Sequence, residues 1–388
     1  MKNIKTKIAQ LLVLLTLLTI IFSNLNSAQA TYDPLSTPNN KFGIHILFPE
    51  EISDAAPLVN STGGDWGYVT IPIQVSDKNL DKWQKFMDDC ARRHIIPLIR
   101  LATTGDYFVQ GSWSQPSEYD VLDFANFLNS LNWPTKNRYV ILFNEPNRGD
   151  EWGGTPDPTT YAQILDYAAH IFKQTNPNFF VISAGLDNGA ADISGQSIDE
   201  YEFMQQMNDA VPGIFNEIDG LASHSYPNPG FSAPPSNYRM GIESFYYQNN
   251  LVEQLTGKRL PVFITETGWS SDKVSDQTQV NYYSDAFANY WNDQDVIAVT
   301  PFILRAGDGP FGQFTFLKNG TTTSQYNAYK NLAKVKGQPQ IDYVPTPTPP
   351  VQNIFLPIEK FNLKYPIESA YKYINKSSKD FFKWLLGI

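Results

Sequence analysis

One cysteine in 388 residues excludes an internal disulfide. Cys90 closes the helical pattern Lys82-Trp83-Gln84-Lys85-Phe86-Met87-Asp88-Asp89-Cys90. With no His or Asn motif beside it, it reads as a small buried residue, not a catalytic thiol. Four histidines and that single cysteine leave little material for a zinc site, so no metal and no cofactor is expected. Positive charge is also scarce: 29 Lys and Arg stand against 39 Asp and Glu. An acidic chain argues against nucleic acid and fits a neutral ligand.

Long apolar runs are rare as well. The clearest, Leu11–Phe22, has twelve residues, short for a membrane span. Lys2, Lys5 and Lys7 precede it, and Ala28-Gln29-Ala30 follows at the spacing a signal peptidase cleaves. Residues 1–30 therefore read as a secretory signal, with an uncleaved anchor as the alternative. Cleavage near Thr31 removes three lysines and no acid, taking the formal charge from −10 to −13. The product is expected to be secreted or held at the cell surface, as a monomer.

Residues 31–342 read as one globular unit, long for a single domain unless it is a sandwich or an α/β barrel. Apolar, β-prone runs occur at Phe42–Leu47, Tyr68–Ile73, Ile95–Leu101, Tyr139–Phe143, Phe179–Ser183, Ile218–Ser223, Val262–Thr265 and Ile297–Ile303. Helical patterns lie between them at Asp81–His94, Tyr119–Leu131, Thr160–Gln174, Glu200–Asp209, Tyr238–Leu255 and Thr278–Asn292. This alternation predicts an α/β fold, a (β/α)8 TIM barrel. A doubly wound open sheet is disfavoured because no Gly-x-Gly-x-x-Gly follows the first strand.

Two of these runs end on a carboxylate. Val140-Ile141-Leu142-Phe143-Asn144 leads to Glu145, and Pro146 follows. Pro261-Val262-Phe263-Ile264-Thr265 leads to Glu266, with Gly268 two positions on. A charge at the end of a buried strand is costly unless it has work to do. Two such glutamates fit glycosidic-bond chemistry, one as acid/base and one as nucleophile. Other polar residues gather at the same strand ends: His45, Arg100, Asn144, Asp187, His224 and Tyr226. Barrel active sites are built on that face. Trp66, Tyr107, Trp113, Trp152 and Phe231 fall in candidate loops there, where aromatics either floor a sugar cleft or pack in the core.

Phe143-Asn144-Glu145-Pro146-Asn147 after the fourth strand and Thr265-Glu266-Thr267-Gly268-Trp269 after the seventh resemble the clan A glycoside hydrolases. His224-Ser225-Tyr226 resembles the strand-six element of the same clan. The resemblance covers roughly residues 41–334. It implies a retaining enzyme that cleaves O-glycosidic bonds, of β configuration, in an oligo- or polysaccharide. Glu145 would be the acid/base and Glu266 the nucleophile. Asn144 would bind the sugar 2-hydroxyl, and Tyr226 would donate to Glu266. His224 would orient a carboxylate or a substrate hydroxyl. Trp269, three residues past Glu266, either floors a sugar subsite by stacking or packs as a core aromatic. Two departures stand out. Many members carry an arginine ending strand two, where Tyr68-Val69-Thr70-Ile71-Pro72-Ile73 has none. Arg100 on strand three is the candidate replacement. Many also carry a tryptophan on strand eight, where Phe302 stands instead.

Residues 343–352 form a Pro/Thr linker, centred on Pro345-Thr346-Pro347-Thr348-Pro349-Pro350. Residues 353–388 then carry six lysines and three acids. Lys372, Lys376, Lys379 and Lys383 share one helical face, with Ile367, Tyr371, Ile374, Phe381 and Leu385 on another. A basic amphipathic helical tail of this kind suits contact with a membrane surface. A helix folded back on the acidic barrel, or a segment that binds a partner, is the alternative. Two further readings of the whole chain stay open: a catalytically silent barrel that binds carbohydrate at a cell surface, and an adhesion scaffold served by the tail.

Overall fold

The computed structural model describes residues 31–103, 113–306 and 311–344. The leader 1–30, Tyr107, linker positions 345–352 and the tail 353–388 lie outside them. Strands and helices alternate eight times: β1 (Gly43–His45), α1 (Ile52–Val59), β2 (Gly67–Gln74), α2 (Leu80–Arg93), β3 (Ile95–Ala102), α3 (Glu118–Asn129), β4 (Arg138–Ile141), α4 (Pro158–Thr175), β5 (Phe179–Ile182), α5 (Glu200–Ala210), β6 (Leu221–His224), α6 (Ser244–Thr256), β7 (Val262–Glu266), α7 (Asp276–Asn289), β8 (Val296–Val299) and α8 (Ser324–Asn331). β1 to β5 pair in parallel in chain order, and so do β6 to β8. Parallel bridges Ile182↔Gly220 and Phe42↔Val299 join the two sets into a closed (β/α)8 barrel.

Local chemistry sets where elements begin. Asn79 accepts a hydrogen bond from the Lys82 amide at the start of α2. Ser117 and Asp120 form a capping box on α3. Asp157 caps α4 ahead of Pro158, whose missing N–H costs nothing in the first turn. Alternation along the strands then sorts the side chains. Tyr68, Leu98, Tyr139, Ile141, Phe180 and Phe263 fill the barrel interior. Val69, Ile71, Ile99, Val140, Val262 and Ile264 pack against the helices.

Three expected boundaries move. α6 starts at Ser244, not Tyr238. Pro227, Pro229, Pro234 and Pro235 hold the preceding stretch out of helix, and Gly241 N bonds back to Tyr238 O at 2.9 Å. β8 ends at Val299, because Pro301 has no N–H for a ladder. β6 runs Leu221–His224, later than the expected Ile218–Ser223, so His224 lies inside the strand.

Candidate active site

A cleft of about 280 Å³ opens at the C-terminal ends of the strands, and both Glu145 and Glu266 line it. Glu266 reaches it through a local irregularity. Regular alternation would place it on the outer face with Val262 and Ile264. The register with β6 instead skips a residue: Ser223 opposes Ile264 and His224 opposes Glu266. The extra residue, Thr265, reverses the alternation and turns Glu266 into the mouth. Glu145 arrives by a different route. Past β4, Phe143 and Glu145 take positive φ values of 73° and 35°. Backbone of this kind is rare for residues with a side chain and concentrates at functional sites. The Glu145 amide bonds Gly185 O at 3.0 Å, which holds the turn against the end of β5.

Glu266 is buried and thoroughly partnered. Its Oε1 accepts a hydrogen bond from Arg100 Nη1, and its Oε2 accepts one from Tyr226 Oη at 3.0 Å. Arg100, from β3, thus brings a positive charge to Glu266, where the strand-two run has none. Its Nη1 also donates to Asn144 Oδ1 at 2.7 Å. Burial works to raise the Glu266 pKa, but His224, Arg100 and His45 outweigh it and bring it down to about 2. His45 Nε2 lies 3.7 Å away. Burial, then the Arg100 charge, lowers the pKa of His45 to about 3, so its imidazole is neutral.

Glu145 Oε1 shares a 2.7 Å hydrogen bond with His224 Nδ1. That same nitrogen lies 3.9 Å from Glu266 Oε2, so His224 stands between the two carboxylates. Burial disfavours its charged form, yet Glu266 and Glu145 prevail and raise its pKa. The ring fits only because residue 185 is glycine: a Cβ there would sit 2.2 Å from His224 Cδ2. An oxygen of Glu145 and one of Glu266 come within 4.8 Å of each other. Together with His224 they are close enough to share a cation. However, Arg100 and Tyr226 already hold the two Glu266 oxygens, so the donor set is that of a hydrogen-bonded pair.

Two expected residues lie elsewhere. Trp269 does not reach the cleft. It is fully buried, donates from Nε1 to Ala233 O at 2.8 Å, and packs its ring against Tyr283 at 5.0 Å. With Gly268 at φ 148°, the chain turns back into the helical layer immediately after the site. Trp66 precedes β2 and stacks on His94 at 4.7 Å, at the opposite end of the barrel. Trp113, Trp152 and Phe231 do line the cleft, with Phe302 from the strand-eight segment.

The cleft also holds residues without an assigned role in the sequence reading. Phe311 and Phe314 arrive from the long connection between β8 and α8. Glu151 lines the wall and takes a hydrogen bond from Asn144. Burial, then the Glu145 charge, pushes its pKa up to about 8, so it is a neutral acid at pH 7. Arg148 donates from Nε and Nη2 to Asp150 at 3.0 and 2.6 Å, and its Nη1 lies 3.7 Å from Glu145 Oε2. Arg148 follows the Asn-Glu-Pro-Asn run directly, so its position was an available signal. Phe311 and Phe314 had none, because only closure of the barrel brings that loop over the site.

The family model described as "Glycosyl hydrolase catalytic core" matches residues 99–329, more than half of the chain. The chain belongs to this family and is a glycoside hydrolase. The clan A resemblance is thereby upheld and the silent barrel set aside. Among solved structures, it is similar to a family 39 glycoside hydrolase from the gut symbiont Bacteroides cellulosilyticus WH2, with 19% identity and TM-score 0.55 over 78% of this chain and 65% of that one. A GH39 β-xylosidase from Caulobacter crescentus gives 18% and 0.52 over 76% and 71%. A fungal β-1,4-galactanase gives 15% and 0.50 over 74% and 99%. At these identities the likeness is one of fold. The chain spans about two thirds of the length of the first two. No curated protein matches the sequence.

Proposed function

We propose that this glycoside hydrolase is a retaining enzyme that cuts β-O-glycosidic bonds of an extracellular glycan by double displacement. The carrying observation is the approach of the Glu145 and Glu266 carboxylates to within 4.8 Å, from the ends of β4 and β7. Retaining glycosidases hold their carboxyl groups about 5–5.5 Å apart, whereas inverting ones need about 6.5–9.5 Å to admit a water. The β configuration is supported by the similar structures of a β-xylosidase and a β-1,4-galactanase.

In the first step a Glu266 oxygen attacks the anomeric carbon while Glu145 gives its proton to the departing oxygen. The glycosidic bond breaks and a glycosyl ester forms. In the second step Glu145 takes a proton from water, the water oxygen attacks the same carbon, and Glu266 leaves as carboxylate. Arg100 and Tyr226 keep Glu266 ionised and aimed. Asn144, held by Arg100 and Glu151, would bond the sugar 2-hydroxyl. Proton NMR of the first-formed product should show the substrate's anomeric configuration. Inverted product would exclude the mechanism.

Export and surface attachment belong to the same proposal, supported by the leader at 1–30 and the lysine face of the tail. The mature chain should sediment with anionic liposomes, less so as salt rises, because the attraction is screened within a Debye length. A chain ending at Val351 should lose that binding. Equal binding by both would favour a tail folded on the barrel.

A further inference from the structure

Arg148 approaches Glu145 but stops short of it. Its Nη1 stands 3.7 Å from Glu145 Oε2, an ion-pair distance and too long for a hydrogen bond. We infer that Arg148 is a positioning residue for the second half of the reaction. It is a fixed positive charge, held off Glu145 by Asp150 and Asp187, that favours the carboxylate Glu145 must be to take a proton from water. The inference rests on the proposed roles of Glu145 and Glu266.

The separation is built into the loops. Arg148 Nε and Nη2 donate to the two oxygens of Asp150, at 3.0 and 2.6 Å. Its Nη1 donates to Asp187 Oδ2 at 3.4 Å. The two-pronged contact with Asp150 fixes the plane of the guanidinium. Both anchors are themselves held. Asp150 O accepts from Trp113 N at 2.8 Å. Asn147 brackets Asp187, donating from Nδ2 to its carbonyl and accepting at Oδ1 from its amide, both at 3.0 Å. Gly189 N donates to Asp187 Oδ1 at 2.8 Å, which turns Oδ2 toward Arg148. A Cβ on Gly149 would sit 2.8 Å from Gly154 O, so only glycine lets the chain cross itself this closely beside Arg148.

The two oxygens of Glu145 therefore meet different neighbours. Oε1 shares its 2.7 Å bond with His224 Nδ1. Oε2 faces the guanidinium across a gap. That gap leaves Oε2 room for the exchanged proton, given to the departing oxygen first and taken from water later. A guanidinium in hydrogen-bond contact would occupy the oxygen instead.

The chemistry explains the need for a lasting charge. Glu145 must be protonated in the first step and ionised in the second. Anionic Glu266, with an oxygen within 4.8 Å, favours the proton at the start. Esterification removes that charge. It also weakens the charge on His224, which burial opposes and Glu266 does most to sustain. Arg148 does not titrate in this way: its hydrogen bonds to Asp150, then the Glu145 charge, raise its pKa further. The other described groups that act on Glu145 are the acids Glu151 and Asp187 and the phenol of Tyr226. Arg148 is thus the cation that persists into the second step.

The test reads pH profiles and the two half-reactions separately. Substrates are the 2,4-dinitrophenyl β-glycosides and the β-linked tetrasaccharides of xylose, galactose and glucose, taking the sugar the wild type cleaves. On the tetrasaccharide, Arg148→Gln should move the basic limb of kcat/KM up by about half a pH unit or more. Asp187→Asn removes an anion from the same group and should move it down. Arg148→Lys keeps the charge and should hold the limb near the wild-type position. On the dinitrophenyl glycoside, where release of the ester limits, Arg148→Gln should lower kcat about fivefold or more. There kcat/KM, which reports the first step, should stay within about twofold, and azide should restore kcat. An unmoved limb in Arg148→Gln, shifts of the same sign in Arg148→Gln and Asp187→Asn, or a loss in kcat/KM as large as that in kcat would overturn the inference. If Arg148→Gln does not fold, the direction of the Asp187→Asn shift decides alone. A basic limb that persists in Glu145→Gln would instead remove the role assignment, and the inference with it.

Discussion

Glu266→Gln is expected to lower kcat by about 10⁴-fold or more, roughly 5–6 kcal/mol of barrier. An amide cannot form the glycosyl ester, so the first step has no nucleophile. The fold should survive, because the amide fills the same volume, keeps its one oxygen as acceptor for Arg100, and can donate its NH2 to a reoriented Tyr226 hydroxyl. Far-UV circular dichroism should be unchanged. The charge on Glu266 also has a pH signature. Its pKa lies near 2 against an ordinary 4.5. The stabilisation that comes from this depression is fully present above 4.5 and is lost as pH falls toward 2. The nucleophile should therefore stay ionised through mildly acidic conditions. Turnover by Glu266→Gln near the wild-type rate would remove the assignment.

Glu145→Ala should cost about 10²–10⁴-fold on substrates with poor leaving groups, the usual contribution of a positioned acid/base. The loss should shrink on aryl glycosides with good leaving groups, since these need no proton to depart. On such substrates release of the glycosyl ester becomes limiting. Azide should restore turnover, because it is an anionic nucleophile that needs no base. Its product should be a glycosyl azide of retained configuration. Rescue of Glu266→Ala by azide in place of Glu145→Ala, or a loss independent of leaving group, would reverse or cancel the two roles. The pair thus separates acid/base from nucleophile where a simple loss of activity could not.

Much of this was readable along the chain. Buried parallel strands are apolar runs, and a charge that interrupts one carries a cost that calls for a reason. That is why Glu145 and Glu266 stood out, and why Arg100, His224 and Tyr226 could be grouped with them. Four of them sit within two residues of the end of a strand and Glu145 sits four past β4, so local pattern places them at the mouth. Trp269 and Trp66 show where the pattern fails. Both lie near strand ends, yet one turns into the helical layer and the other belongs to the opposite rim. An aromatic ring suits a core or a sugar equally, so its residue type does not choose between them.

By itself, then, the sequence determined the class of fold, the two carboxylates and the strand ends that carry them. These follow from periodicity and from the cost of burying charge, which act over a few residues. The tertiary structure alone decided which way the side chains face and what they meet. One extra residue in β7 reverses alternation and delivers Glu266 to the cleft. The glycine at 185 lets His224 stand between the carboxylates. Asn147 ties together the loops after β4 and β5, far apart in the chain, through Asp187 O and Ile198 O. Each of these depends on contacts between segments tens of residues apart or more, and such contacts exist only once the barrel has closed.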